Sequence, residues 1–152
     1  ERFHSVKSGL KNVCDNELVI IHDGSRPFPS KTTITNVVEV ALRKGNAVPA
    51  IEISDSVREH QGKFNQTVDR GKFNQTVDRG KLKLVQTPQA FTGSLIKKAY
   101  NQQFDQRFTD DSTVFETTGN AINLVEGNVE NIKITHPADI IYAKALHQHI
   151  VS

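Results

Sequence analysis

The sequence predicts an α/β fold, a mostly parallel sheet flanked by helices, with a projecting β-arm. Three observations predict it. Residues 18–21 (LVII) form an unbroken apolar run, the pattern of a strand buried on both faces. A helical pattern and a second apolar run follow, and strand, helix, strand in that order is a crossover unit that implies a parallel pair. Residues 55–81 break the pattern: they are polar, with isolated apolar positions, and they carry the segment GKFNQTVDR at 62–70 and again, without a mismatch, at 71–79.

The elements follow in order. Phe3, Val6, Leu10 and Val13 recur at helical spacing with Lys7 and Lys11 outside, so residues 3–14 read as an amphipathic helix. It leads into the strand at Leu18. That strand breaks at His22, Asp23, Gly24, Ser25, Arg26 and Pro27. Gly24 offers backbone angles that other residues resist, and Pro27 ends further pairing. Ser30 or Thr32 caps a second helix with Ile34, Val37, Val38, Ala41 and Leu42 on its apolar face, and Gly45 stops it. Residues 47–53 (AVPAIEI) read as the next strand. A nine-residue repeat is too short for a solenoid unit. Each copy instead offers a short strand with Asp-Arg-Gly-Lys as its turn, and the region reads as an arm that tolerates insertion; a disordered loop explains the pattern nearly as well. Residues 82–85 return to strand pattern, and 86–89 form an extended polar connection, because the residue before a proline avoids helix. Thr92 or Ser94 caps a helix running to about Gln103. Thr109 or Asp110 caps a shorter one that ends at Gly119. Residues 121–125 and 131–135 (NIKIT) read as strands, the second with Ile132 and Ile134 on one side and Lys133 on the other. Pro137 opens the last helix at its favoured first position, with Ile140, Ile141, Ala143, Ala145, Leu146 and Ile150 packing it.

Length and charge narrow the function. The 152 residues fit one domain able to bury a core. With 19 basic and 17 acidic residues and no basic cluster, general nucleic-acid binding is not indicated. No apolar run approaches a membrane span. Cys14 has no second cysteine to pair with; it fits a reducing cytoplasm and reads as a small buried hydrophobe. The chain holds no Met and begins Glu1-Arg2-Phe3, inside what already looks like a domain, so it reads as N-terminally truncated.

Chemistry-bearing residues cluster in a few places. Asp23 and Arg26 are delivered at the carboxyl end of a buried strand, where open α/β sheets bind ligands. That pair suits a phosphorylated ligand, the Arg clamping phosphate oxygens and the Asp holding a cation or a hydroxyl; an Asp-Arg ion pair in a loop explains the spacing equally well. Arg79 or its twin Arg70, Thr109, Asp110 and Lys133 complete the candidates. No metal-ligand spacing is legible. His147 and His149 lie two apart and share no helix face. His4, His22, His60 and His136 are scattered, and neither G-x-G-x-x-G nor a Walker A motif is present.

Four segments in order, IIHDGSRPF, TVDRGKLKLVQTPQAF, FTDD and LVEGNVENIKITHPAD, closely resemble the 2-C-methyl-D-erythritol 4-phosphate cytidylyltransferase family of the non-mevalonate isoprenoid pathway, and the opening RFHSVKSGL resembles its Arg-x-x-Ser-Val segment. The resemblance covers essentially the whole chain. It implies a Rossmann-like nucleotidyltransferase fold and transfer of CMP from CTP to a sugar-alcohol phosphate, with release of pyrophosphate and with Mg2+ as divalent cation; it leaves the metal ligands unknown. It implies catalytic roles for Lys133 and for Arg79, the latter reaching from the arm into a partner's acceptor site. Arg79 keeps the register counted back from Gln86, and Arg70 is displaced by the extra copy. Acceptor contacts fall to Asp23, Gly24, Arg26, Ser56 (where a Thr is usual), Thr109 and Asp110. Arg2 and Ser5 stand beside the nucleotide. The family's Gly-rich triphosphate cradle and its lysine have no counterpart in these 152 residues, so the polypeptide by itself is expected to turn over little. A cytoplasmic homodimer joined through the arm is implied, with no nucleic acid or membrane partner. The alternatives are a ribitol-5-phosphate cytidylyltransferase, from which the TDD and NIKITHPAD contexts lean away, and a non-catalytic dimerising fragment.

Overall fold

The structure is a computed structural model, and it describes residues 1–60 and 74–151. Helix α1 (Arg2–Gly9) continues as a 3-10 turn, Leu10–Asn12. Strand β1 is Leu18–Ile21, α2 Lys31–Lys44 and β2 Asn46–Glu52. Strands β3 (Arg58–His60) and β4 (Asn74–Thr76) pair with each other antiparallel, Arg58 opposite Thr76 and Glu59 opposite Gln75, in a ribbon separate from the main sheet. The ribbon falls within residues 55–81, the segment read above as an arm, of which 61–73 lie outside the described residues. The first repeat copy, residues 62–70 with Arg70, lies outside the described residues. Of the second copy, Asn74 to Thr76 form β4 and Arg79 opens a 3-10 turn, Arg79–Lys81. Then come β5 (Lys83–Val85), β6 (Gln89–Thr92), α3 (Gly93–Tyr100), α4 (Asp111–Glu116), β7 (Leu124–Glu126) and α5 (Pro137–Val151).

The main sheet runs β1-β6-β2-β5, with β7 on the other side of β2. Its pairings correct the expectation of a mostly parallel sheet. Strands β1 and β2 are each antiparallel to β6, and β2 to β5; β2 with β7 is the parallel pair among the described residues. The crossover through α2 does leave β1 and β2 pointing the same way, but β6 is inserted between them. The sequence pattern puts Gln89 in a connection and Thr92 at a helix cap, which hides the strand that intervenes.

Strands β5 and β6 are two halves of one partner for β2. Ala50 faces Val85 and Ala47 faces Ala90, so this side carries two more residues than the opposite stretch of β2. The surplus is a bulge at residues 86–88, which holds the cis Thr87–Pro88 peptide. Pro49, inside β2, falls opposite it. Proline has no N–H for a ladder, and here its carbonyl accepts the Gln86 backbone N–H at 2.8 Å.

Alternation along β2 and β6 builds a core on each face. Ala47 and Ala90 pack with Val37 and Ala41 of α2, while Val48 and Phe91 pack with Phe3, Leu10, Ile96, Tyr100, Val114 and Phe115 on the other face. Local signals mark the helix ends as expected. The Ser30 hydroxyl accepts the Thr33 N–H at 3.0 Å, Gly45 closes α2 at φ 86°, and Asp110 caps α4.

Other expectations are corrected. Strand β1 is not buried on both faces along its length: Val19 and Ile21 pack inward, and on the other face Leu18 packs against the α2 cluster while Ile20 is 47% exposed. Gly24 has no positive φ, and a side chain there would meet nothing, so the turn does not demand glycine. Cys14 is exposed, in the turn where its N–H donates to the Glu17 carboxylate at 2.7 Å. Residues 131–135 form no ladder. Helix α5 turns Ala143 inward and leaves Ile140, Ile141 and Ile150 exposed, Ile141 at 74%. Its apolar residues occupy more than one face, and only one face meets the body of the molecule.

Candidate functional site

Four separated stretches meet beside the β5–β6 bulge. Strand β1 delivers Asp23. The first turn of α1 delivers Arg2, whose Nε donates to Asp23 Oδ1 at 3.0 Å and whose Nη2 donates to Asp111 Oδ2 at 2.5 Å. The segment after β7 delivers Lys133, with Nζ 2.9 Å from Asp23 Oδ2. The start of α4 delivers Asp110 and the fully buried Asp111, whose Oδ1 accepts from the Tyr100 hydroxyl at 2.5 Å. Tyr100, Asp111, Arg2, Asp23 and Lys133 therefore form one hydrogen-bonded row running from core to surface.

Backbone geometry explains why Lys133 meets Asp23. Its segment is clamped on both sides to the turn after β1. Arg26 Nη1 donates to the Asn131 carbonyl at 2.8 Å, and the Ile134 N–H donates to the Ser25 carbonyl at 2.8 Å. Buried Asn131 donates to the Thr87 carbonyl at 2.8 Å, which ties the same segment to the bulge. The Thr87 hydroxyl accepts the Asp23 N–H at 3.0 Å and lies 3.0 Å from His22 Nδ1; His22 Nε2 donates to the Arg26 carbonyl at 2.8 Å. In the sequence His22 is one of several scattered histidines, whereas in the fold it braces the turn that carries Asp23. The Asp23–Arg26 ion pair, one of the two readings of that spacing, does not form. Asp23 takes Arg2 and Lys133 instead, and Arg26 spends hydrogen bonds on backbone carbonyls, with its buried Nε unpartnered.

Charge states follow from these contacts. Burial pushes the Asp23 carboxyl up, but hydrogen bonds from Lys133 and Arg2 outweigh it and hold the group below the ordinary carboxylate range. Asp110 behaves alike: burial opposes ionisation, and donors from Ser112, Thr113 and Gln89 more than offset it. Burial works against the Arg2 charge, yet Asp111 and Asp23 raise its pKa further above the usual arginine value. Burial, then the Asp111 charge, push the Tyr100 hydroxyl up, so it stays a donor. Burial lowers Arg26.

Arg2, Asp23, Arg26, Thr109, Asp110 and Lys133 line one cleft of about 210 Å3, together with Gln86, Thr87 and Gln89. Six of the ten residues singled out from sequence are thus brought together. Ser5 is exposed on α1 and Gly24 in the turn. Ser56 is exposed before β3. Arg79 is exposed too, donating to the Ser54 carbonyl; neither lines the cleft. Sequence reasoning missed Asp111, Tyr100, Gln89, Thr87 and Asn131. Gln89, fully buried, donates to Asp110 at 2.8 Å and accepts the Ser112 N–H at 3.0 Å, so it seats the α4 cap. A larger groove, about 680 Å3, runs between β5 and β7 along Ile51, Leu84, Leu124 and Val129. It is mainly apolar and lacks the convergent charges of the smaller cleft.

No group of three His, Cys, Asp or Glu side chains among the described residues is placed to hold a metal ion, and both Asp23 oxygens are engaged by cations. The described residues do not by themselves fit a Mg2+ ion. What they can do is surround an anionic ligand: three cations and two carboxylates lie at the strand ends of a mixed sheet, where α/β folds take nucleotides and sugar phosphates.

That class is narrowed by comparison with known proteins. The family model described as IspD, 2-C-methyl-D-erythritol 4-phosphate cytidylyltransferase, matches residues 1–149. The enzyme of that name from Phocaeicola vulgatus is 43% identical over 145 residues, covering 95% of this chain and 62% of its own length. That from Geobacillus kaustophilus is 38% identical over 149 residues, covering 96% and 61%. The crystal structure of the Thermus thermophilus enzyme superposes with a TM-score of 0.80 at 31% identity, covering 97% of this chain and 69% of that one. The chain belongs to the 2-C-methyl-D-erythritol 4-phosphate cytidylyltransferase family, and it spans about 62% of the length of the curated relatives it matches.

Proposed function

We propose that the chain carries the acceptor side and the charge-neutralising lysine of an enzyme that transfers CMP from CTP to 2-C-methyl-D-erythritol 4-phosphate. The observation that carries this is the Arg2–Asp23–Lys133 row in a cleft also lined by Arg26, in a chain of this family. A phosphate oxygen of the acceptor attacks the α-phosphorus of CTP in line; the new P–O bond forms as the bond to the β-phosphate bridging oxygen breaks, and pyrophosphate leaves. The protein's task is positioning and electrostatics. Lys133 neutralises charge on the transferring group. Asp23, Arg26, Thr109 and Asp110 frame the acceptor, with Gly24 in the turn, and Ser56 joins them on the family resemblance alone. Arg2 and Ser5 stand on the nucleotide side. Mg2+ belongs to this reading as a companion of the triphosphate rather than of the protein.

On the same reading the chain is a single nucleotidyltransferase domain that works in the cytoplasm as a homodimer. The ribbon at β3 and β4 projects to the partner, and Arg79, absent from the cleft of its own chain, acts in the partner's acceptor site. The ribitol-5-phosphate alternative is not favoured, since the matched relatives carry the methylerythritol name. The deciding experiment measures pyrophosphate release from CTP with 2-C-methyl-D-erythritol 4-phosphate and Mg2+. It is run on this chain and on the chain joined to the N-terminal segment of a relative. Release by the joined protein with this acceptor, and not with ribitol 5-phosphate, is expected; a folded joined protein that releases none refutes the reading.

A further inference from the structure

We propose that Asp111, seated by Tyr100, is a positioning residue: it fixes the Arg2 guanidinium so that Arg2 in turn holds Asp23 turned towards Lys133. The geometry runs one way, from fixed to free. The Asp111 side chain is 0% exposed, Arg2 32% and Lys133 44%. A carboxylate that deep needs full partnering, and its two oxygens are taken by the Tyr100 hydroxyl and Arg2 Nη2. Tyr100 also stacks on Phe3, centroids 4.8 Å apart, so one ring sets both Asp111 and the helix turn that bears Arg2. Helix α1 gives Arg2 no support of its own, because a cation near a helix N-terminus opposes the macrodipole. The planar fork is what lets one side chain bridge two carboxylates, Nη2 on Asp111 and Nε on Asp23, and a lysine ammonium on a flexible stem does not reproduce that fork.

The consequence for turnover rests on the function proposed above; the positioning itself is measurable without turnover. Carboxyl 13C NMR of this chain gives the Asp23 titration midpoint in the unsubstituted protein, in Asp111→Asn and in Arg2→Lys. If Asp111 fixes Arg2, both substitutions loosen a cation from Asp23 and its midpoint rises by about one pH unit. The contrary case has the opposite sign. Were Asp111 only a buried anion of the core, removing its charge would leave the Asp23 midpoint unchanged or lower it. An unchanged or lowered midpoint in folded Asp111→Asn overturns the proposal. Should that variant not fold, Arg2→Lys decides alone, since a lysine that serves Asp23 as well as the arginine does leaves the midpoint in place and overturns it too. A failed pyrophosphate assay in the folded protein joined to a relative's N-terminal segment would strike the proposed function and leave the titration result standing.

Discussion

Lys133 is held by its backbone rather than by its own packing. Asn131 and Ile134 anchor either side of it, and its ammonium reaches Asp23. A charge donor placed in advance acts most where charge develops. Lys133→Ala in the catalytically competent protein is therefore expected to lower kcat by roughly 10²- to 10³-fold with a smaller change in KM; steady-state kinetics with CTP and the acceptor checks it, and an unchanged kcat removes Lys133 from the mechanism. At this scale the sequence was legible where a residue's chemistry is local. Asp23, Arg26 and Lys133 stand out beside strand ends and in motifs. Asp111 did not, because two adjacent acids before a helix read as a cap, and Asp110 satisfies that reading by accepting the Thr113 N–H at 2.9 Å. What distinguishes Asp111 is Arg2, 109 positions away.

Among the elements, α2 and α3 are set by opposite devices. The start of α2 rests on the Ser30 hydroxyl, which accepts the Thr33 N–H and also touches the Thr33 hydroxyl at 2.9 Å. Ser30→Ala should cost about 1 kcal/mol in urea unfolding, and Ser30→Asp much less. The start of α3 rests on close approach: a Cβ at Gly93 would strike the Cys14 carbonyl, while the Gly93 N–H donates to the Glu17 carbonyl at 2.7 Å. Gly93→Ala should cost about 1–3 kcal/mol by forcing backbone apart, and a thermal melt unchanged from the parent would contradict that packing. Caps and stops at Ser30, Gly45, Asp110 and Pro137 were readable because each acts within a few residues. Strand direction was not, since the insertion of β6 between β1 and β2 depends on a bulge that begins far along the chain. The alternation in residues 131–135 was real, with Ile132 and Ile134 half-buried and Lys133 exposed, but a strand needs a ladder and here Ser25 supplies a single carbonyl.

For the whole molecule, acid is the natural stress. Asp23 and Asp110 both have carboxyls below their ordinary value of 3.8 in the fold. The unfolded chain then binds more protons than the folded one as pH falls through that value, so stability rises with pH there. Their contribution is complete above 3.8 and is lost as pH drops through the lower folded values. Urea midpoints measured from about pH 5 down to about pH 3 should fall, and the fall should be shallower in Asp23→Asn, which has one such carboxyl fewer. An equally steep fall would mean that Asp23 titrates in the fold as it does in the unfolded chain.

The row of paired charges also divides the polypeptide evenly. Arg2 and Asp23 precede the repeat, and Asp111 and Lys133 follow it, one cation and one anion on each side. A chain cut between the two copies of the repeat yields halves that are each close to neutral within the row and that are joined across the cut by two of its three ion pairs, Arg2 to Asp111 and Asp23 to Lys133. Such halves are a ready pair for split-protein complementation, in which the regained bridge of Arg2 to Asp111 reports that the two pieces have found each other.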